Sequence, residues 1–349
     1  MPSAPFVSLS DLLDRLVAGA LDPLARLIDP SRRTNLLFLA VAACMALLVR
    51  AVRGRARGSA WRFLFPARIW LHRSALLDYR LLFASSVLHA TLLWPLALSE
   101  VAVTSGVLAW LSSWIGPPEP SALDPAWITA LMSVAVFVAD DFARFAFHRA
   151  AHRIPALWEL HKLHHSARVM TPVTLLRSHP LETMLLRVGT RLSTGVTLGA
   201  FLWVFPGHVT IWQIGGAYGL GYLWGLLGSN LRHSHVWLSY GPLLEHVFIS
   251  PAQHQIHHGD RPEQHHRNYG SALAIWDWLT GSLVVTTSLR PALRFGLPPD
   301  EKNHDDTVTS ALLDPLLAGL RTLRRPGAET TDAGPRRPPD PHPSRLARS

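Results

Sequence analysis

Residues 127–165 read WITALMSVAVFVADDFARFAFHRAAHRIPALWELHKLHH and join an apolar segment to two clusters of histidine. The apolar part, 127–139, continues into the first cluster without Gly or Pro, which predicts a single helix through both. On that helix His148 and His152 are four residues apart and share a face, so both rings are able to bind one metal ion. The stretch therefore predicts a membrane helix that carries metal ligands at its end.

The spacing H-x-x-H-H occurs twice after this first cluster. Its members are His161, His164, His165, His254, His257 and His258. Adjacent His164 and His165 point about 100° apart on a helix, which suits ligands of two different metals. Eight imidazoles exceed the capacity of one ion, so the sequence predicts two metals. Imidazole ligands suit Zn, Cu, Fe or Ni.

Several other polar residues near these clusters are weaker candidates. The candidate additional ligands are His179 and His233. The candidates for orienting a ligand from outside by a hydrogen bond are Asp141, Asn230 and Asp277. His265 and His266 lie in a polar loop after the third cluster, and we expect both to be exposed to solvent.

The composition indicates a membrane protein. Among 349 residues, 48% are hydrophobic, only 16% are charged and 13 are Trp. The net charge of +9 comes with arginines that flank apolar runs, which indicates anchoring at a membrane surface, and no nucleic acid partner is expected. Cys44 is the single cysteine, so cysteine supplies neither an intramolecular disulfide nor the metal site.

The apolar runs predict an all-α integral membrane protein with roughly four to five transmembrane helices. The runs are 36–49, 81–115 (one tilted helix or a broken pair), 127–139, 192–205 and 209–228. Arg50, Arg53, Arg55 and Arg57 follow the first run, and the positive-inside rule places that end in the cytoplasm. All three histidine clusters then lie in a cytoplasmic helical cap that holds a di-metal centre. The Ala-, Arg- and Leu-rich composition fits a bacterial inner membrane.

Three regions are expected along the chain. Residues 1–30 form an amphipathic, interfacial segment, because Leu9, Leu12 and Leu16 share a helical face. Residues 31–322 form the membrane-embedded unit, with the histidine clusters within 140–286. Residues 323–349 are rich in Arg and Pro and predict a disordered tail. The pairs Gly215/Gly219 and Gly221/Gly225 predict close helix packing in lipid.

The three clusters, with apolar helices between them, resemble the histidine boxes of the fatty acid hydroxylase / sterol desaturase superfamily. Four further stretches add to the likeness: LWELHKLHHS at 157–166, RSHPLE at 177–182, SPAQHQIHH at 250–258, and NYG at 268–270 with IWD at 275–277. The likeness covers roughly residues 140–286. The motifs are specific in combination and weak singly.

This resemblance implies a non-haem di-iron membrane enzyme that uses O2 to hydroxylate or desaturate a C–H bond of a lipid. The electrons come from a separate ferredoxin or reductase, since no N-terminal haem-binding domain is seen. The resemblance implies that the box histidines are catalytic metal ligands, with His179 and His233 as additional ligands. These box histidines are His148, His152, His161, His164, His165, His254, His257 and His258. No organic cofactor is implied. Zinc in place of iron, the lipid, the position oxidised and the oligomeric state stay open.

Two other classes of protein use histidine-rich sites in membranes. A divalent metal transporter needs ionisable groups at bilayer depth on several helices, whereas these histidines fall at helix ends and in loops. A di-zinc membrane hydrolase lacks its usual base here, because Lys162 and Gln255 stand where an H-E-x-x-H motif has glutamate. The oxygenase reading is therefore favoured over both.

Overall fold

The computed structural model describes residues 8–54, 57–93, 97–116, 118, 121–207, 216, 218–286, 290–298, 301 and 307–324. Within these residues the chain is helical and contains no β-strand, only the isolated bridges Phe248–Leu273 and Gly259–Phe295. The α-helices are α1 Leu9–Ile28, α2 Leu36–Val52, α3 Ala60–Leu64, α4 Ala67–Trp70, α5 Arg73–Leu88, α6 Glu100–Trp114, α7 Pro125–Ala151, α8 Pro155–His165, α9 Pro180–Val204, α10 Gly219–Leu226, α11 Pro251–His257, α12 Pro262–His265, α13 Ile275–Leu279 and α14 Val308–Arg324. The predicted all-α class is confirmed.

Two helical segments are long and apolar enough to cross a membrane. One is Arg73–Leu93, which consists of α5 and the π-helix His89–Leu93, and the other is α7. Helix α2 is apolar but has only 17 residues. Much of the predicted run 209–228 and nearly all of the predicted tail 323–349 lie outside the described residues.

Helix α7 carries the first histidine cluster away from the apolar segment. The Asp124 side chain accepts a hydrogen bond from the Ala126 backbone N–H, and Pro125 occupies the first turn, where its missing N–H has no cost. The helix then continues for 27 residues to Ala151. Pro155 begins α8 directly afterwards. The predicted single helix through residues 127–148 is confirmed.

Helix α9 lies between α6 and α7. Its Gly199 faces α6 so closely that an added Cβ would lie 2.7 Å from Val107 Cβ and 2.8 Å from Thr104 O. On the other side, Ser193 Oγ donates to Ala139 O of α7 at 2.9 Å. These contacts fix the position of α9, whose first turn lies beside α8 and the histidine clusters.

The described structure shows close packing at one of the predicted glycines. An added Cβ at Gly225 would meet the ring of Phe38, whereas added Cβ atoms at Gly219 and Gly221 meet nothing within 4 Å among the described residues. Close packing at i, i+4 occurs instead at Gly195 and Gly199 of α9. Helix proximity, which the sequence does not contain, decides which small residues are at a contact.

Replacing Gly199 with alanine is expected to destabilise the protein by about 1–3 kcal/mol, because the new methyl group overlaps Val107 and Thr104. Gly189 lies on the same helix with nothing within 4 Å of its Cβ position. Gly189→Ala should therefore be neutral or stabilise by about 0.5–1 kcal/mol through helix propensity. Thermal unfolding of both variants in the same detergent tests the contrast. Equal effects would rule out the α6–α9 contact.

Helix α14 covers the outer side of α8. Ala311 packs with Leu163 of α8 and with Leu77 and Leu81 of α5. Further along, an added Cβ at Gly319 would lie 3.2 Å from the Ala156 carbonyl oxygen. Helix α8 is therefore held between α14 on the outside and the remaining histidine segments on the inside.

Helix α1 packs on α5 and exposes apolar side chains on its free face. The Ser8 side chain caps its first turn, and Ser86 Oγ of α5 donates to Asp22 Oδ2 at 2.6 Å. The exposed side chains include Leu9, Leu13 and Leu24. The amphipathic helix expected within residues 1–30 is present, and its interfacial location remains a prediction.

Candidate metal centre

Nine histidines form two adjacent groups of rings. The five-histidine group consists of His148, His152, His161, His165 and His257, and the four-histidine group consists of His164, His233, His254 and His258. Within each group the possible ligand atoms all lie within 4.8 Å of one another. Every member except His148 is buried. All eight box histidines and the additional candidate His233 lie in these groups.

Neighbouring histidines of one helix point into different groups. On α8, His164 belongs to the four-histidine group and His165 to the five-histidine group. At the end of α11, His257 and the following His258 divide in the same way. Because both groups take rings from the same two segments, they share a framework and are fixed relative to each other.

Backbone carbonyls fix the orientation of three rings, since a carbonyl oxygen accepts and cannot donate. His148 Nδ1–H donates to Tyr269 O at 2.7 Å, His257 Nδ1–H to Arg267 O at 2.7 Å, and His164 Nδ1–H to Arg177 O at 3.2 Å. In each ring the proton is therefore on Nδ1, and the lone pair of Nε2 points into the group.

The distances inside the groups fit metal ions. His233 Nε2 lies 3.2 Å from His164 Nε2, 3.2 Å from His258 Nε2 and 3.0 Å from His254 Nε2. One N–H points at one acceptor, so hydrogen bonds cannot satisfy all three contacts. Nitrogens bound to one ion at about 2.0–2.1 Å lie roughly 3.0–3.4 Å apart. The four-histidine group therefore has the spacing of a ligand set.

The distances between ring nitrogens in the five-histidine group also fit a bound metal ion. His257 Nε2 lies 3.0 Å from His148 Nε2, and His165 Nε2 lies 3.2 Å from His161 Nε2. Both ring nitrogens of His152 are buried without a hydrogen-bond partner in the described structure. A buried polar atom without a partner is costly, and a cation bound between these rings would remove that cost.

Burial keeps the imidazoles in the form that binds metals. It lowers the pKa of His161 and of His164 to about 3, and it lowers the pKa of His258 well below its usual range. These rings are therefore neutral at physiological pH and offer a lone pair.

One acidic residue that sequence reasoning left without a role contacts a ring. The His161 Nδ1 and Glu182 Oε1 atoms are 2.6 Å apart, and both side chains are buried. Glu182 stands in the first turn of α9, which brings it beside α8. The one sequence feature that could have indicated Glu182 is its position in the stretch 177–182, three residues after His179. The packing of α9 on α8 is needed to show that its partner is His161.

The structure does not bring His179 into either group. Its Nδ1 accepts from the Leu181 backbone N–H at 3.2 Å, which caps α9, and its Nε2–H donates to Leu312 O of α14 at 2.9 Å. Both ring nitrogens are therefore engaged in holding helices together.

Asp141 and Asp277 act on the loop that orients His148. Asp141 accepts from the Leu273 backbone N–H at 3.0 Å, and Asp277 accepts from the Tyr269 N–H at 2.8 Å. The carbonyl of Tyr269 in turn accepts from His148, so both carboxylates support that ring indirectly. The third candidate, Asn230, donates to the carbonyl of Arg33 at 2.8 Å and contacts no ring of either group in the described structure.

Of the two loop histidines that were expected to be exposed to solvent, only one is. His266 is exposed, but His265 is buried, with its ring centroid 4.9 Å from that of His165. Because the residues around His265 are polar, the sequence did not predict that this loop folds back over the five-histidine group.

The fold and the site together define a helical protein with apolar candidate spans and two adjacent polyhistidine groups that fit metal ions. Residues 133–282 match the sequence model of the family described as fatty acid hydroxylase. This match supports the resemblance of the segment to the fatty acid hydroxylase / sterol desaturase superfamily that the histidine boxes predicted.

Curated relatives match about half of the chain. An ornithine lipid hydroxylase of Rhizobium tropici is 29% identical over 197 residues, which cover 56% of this chain and 50% of the relative. The human alkylglycerol monooxygenase is 27% identical over 175 residues, 50% of this chain and 32% of the relative. A fatty acid hydroxylase of Lecanicillium sp is 30% identical over 169 residues, 48% of this chain and 45% of the relative. The matches thus span half or less of each relative, and no solved structure matches the chain.

Proposed function

We propose that this protein is a membrane-bound di-iron oxidoreductase that uses O2 and external electrons to hydroxylate or desaturate a C–H bond of a lipid. The observation that carries the proposal is the convergence of nine neutral imidazoles into two adjacent groups with ligand spacing. The relatives whose names describe lipid hydroxylases and monooxygenases support the same chemistry.

The histidines of each group would hold one iron. Two bound irons supply O2 activation strong enough to attack an unactivated C–H bond, which no protein side chain does alone. The chain itself fixes the ring tautomers through Tyr269, Arg267 and Arg177 carbonyls. Burial of the rings keeps bulk water away from the reacting atoms.

Apolar surfaces near the site support a lipid as the substrate. A cavity of about 500 Å³ lies between Leu92 of the π-helix, Leu181 at the start of α9 and Leu312 of α14. Its size is in the range of small-molecule pockets, and hydrocarbon suits its almost wholly apolar lining. We propose that a lipid tail enters from the bilayer here. The histidine groups would face the cytoplasm of a bacterium, in an inner-membrane protein with four to five spans.

The proposal requires an electron donor, because O2 activation at reduced iron consumes electrons that the lipid alone does not provide. We propose a separate ferredoxin or reductase that docks on the cytoplasmic side. Bound iron that is reduced only in the presence of such a donor would identify it.

The decisive variant is His257→Ala, because His257 is fully buried and its Nε2 lies 3.0 Å from that of His148. We expect the purified wild type to hold two irons per chain and to consume O2 when reductant is added. The variant should lose at least one iron, and its O2 consumption should fall by roughly 100-fold or more, since even outer-shell changes cost 10–100-fold. Metal analysis and an oxygen electrode measure both.

The alternative classes give different results in the same experiment. Zinc alone, released and rebound readily, would favour a transporter, and tightly held zinc without O2 consumption would favour a hydrolase. If His257→Ala left the iron content unchanged, the iron would not be held by this histidine, and the proposal would be contradicted.

A further inference from the structure

The two histidine groups differ in the charges that touch them. Glu182 places a carboxylate oxygen 2.6 Å from Nδ1 of His161, a member of the five-histidine group. In the described part of the chain this is the one carboxylate recorded in a hydrogen bond with any of the nine rings. The other rings whose Nδ1 is bonded donate to uncharged backbone carbonyls.

A buried cation adjoins one ring of the four-histidine group along the chain. Arg232 precedes His233 in the chain, its side chain is buried, and its Nη2 atom has no hydrogen-bond partner in the described structure. A side-chain carboxylate therefore accepts a hydrogen bond from a ring of the five-histidine group, whereas in the described structure the one ring of the four-histidine group with a bonded Nδ1, His164, donates to a backbone carbonyl.

We propose that Glu182 makes the two metal positions unequal, as a positioning residue that strengthens His161 as a ligand of the five-histidine group. This inference rests on the proposed di-metal function. A carboxylate that accepts Nδ1–H increases the electron density at Nε2 and fixes the ring, so the metal at that position is bound more tightly.

The inequality has two consequences for the loaded protein. The four-histidine position releases its metal first when a chelator is added. The five-histidine position is also harder to reduce, because the carboxylate stabilises the more highly charged ion. An iron held at the four-histidine position would therefore be the easier of the two to reduce.

The test uses the full-length protein loaded with 57Fe. In the wild type we expect two Mössbauer quadrupole doublets and two phases of iron release to a chelator. Glu182→Gln keeps an acceptor oxygen for Nδ1–H but removes the charge. It should shift one doublet only and weaken metal retention at the five-histidine position by about 10–100-fold, so that the two release phases merge or change order. Glu182→Ala, which removes the acceptor as well, should have a larger effect in the same direction.

Glu245→Gln is the matched control. Glu245 is a fully buried carboxylate that accepts from Ser250 Oγ at 2.7 Å and Thr286 Oγ1 at 2.6 Å, and in the described structure it has no hydrogen bond with any of the nine rings. Its variant should keep both doublets of the wild type. A shift of one doublet in Glu182→Gln that is absent in Glu245→Gln supports the assignment to His161.

Several outcomes would overturn the inference without affecting the proposed function. A wild type with two irons but one doublet and one release phase would show that the positions are equal, even if no variant folds. If Glu182→Gln left the Mössbauer spectrum and the metal retention unchanged, the charge of the carboxylate would have no effect on metal binding. A wild type that binds no iron would instead contradict the proposed function, and the release phases of bound zinc would then still test the inequality.

Discussion

Replacing His233 with alanine is expected to halve the metal content of the protein. His233 Nε2 is within 3.0–3.2 Å of the Nε2 atoms of the three other rings in the four-histidine group. Without it, three rings remain and that position loses the ligand that contacts all the others. We expect one iron per chain in place of two, and O2 consumption lower by roughly 100-fold or more. Metal analysis and O2 uptake of the purified variant measure both.

His235→Ala provides the control, because His235 lies two residues further along the same loop. Its ring packs against Phe63 at a centroid distance of 5.3 Å and belongs to neither group. We expect this variant to keep two irons and most of the activity. If both variants lost one iron, the cause would be disruption of the loop, and His233 would not be established as a ligand.

Replacing Arg177 with methionine is expected to destabilise the protein by about 3–5 kcal/mol, since it leaves the buried Asp78 carboxylate without its cation. Arg177 and Asp78 are both fully buried, and Arg177 Nη1 donates to Asp78 Oδ1 at 2.8 Å. Arg177 Nε also donates to Leu163 O at 2.9 Å, so the guanidinium joins α5 to the second histidine box. Thermal unfolding in detergent measures the loss.

Two further variants separate burial from charge. Arg294 forms an exposed ion pair with Asp260 at 3.3 Å, and Arg294→Met should change stability by less than about 1 kcal/mol. The double variant Asp78→Leu with Arg177→Met removes both buried charges and should recover part of the loss. A double variant as unstable as Arg177→Met alone would mean that the hydrogen bonds to α8, and not the unpaired carboxylate, dominate.

The convergence of histidines within each box is predictable from the sequence because their spacing is a local property. Residues three or four apart share a helical face, and adjacent residues do not, wherever the helix lies. The division of adjacent His164 and His165 between the groups follows from that rule, whereas the structure decides that His161 joins His165 and not His164. The uninterrupted helix into His148 is equally local, since it depends on the absence of a helix breaker after residue 127.

Features that depend on contacts between distant segments could not be predicted in this way. From the sequence, His179 and His233 are equally good candidates for additional ligands. Tertiary packing decides between them: the ring of His179 hydrogen-bonds to the backbone of Leu181 and Leu312, whereas the ring of His233 lies beside that of His164. Glu182 reaches His161 because α9 begins beside α8. The glycines at 195 and 199 pack closely because α6 lies against them, whereas Gly219 and Gly221 have no such neighbour among the described residues.

The division of each metal position among distant segments has a consequence for biosynthesis. About ninety residues separate His165 from His258, and a ribosome adds about 5–20 residues per second. For about 5–20 seconds the nascent chain carries the first two boxes while the five-histidine group lacks His257 and the four-histidine group lacks His254 and His258. Neither position can hold its ion with full affinity during that interval. We therefore expect both positions to reach their full metal affinity only after α11 has left the ribosome.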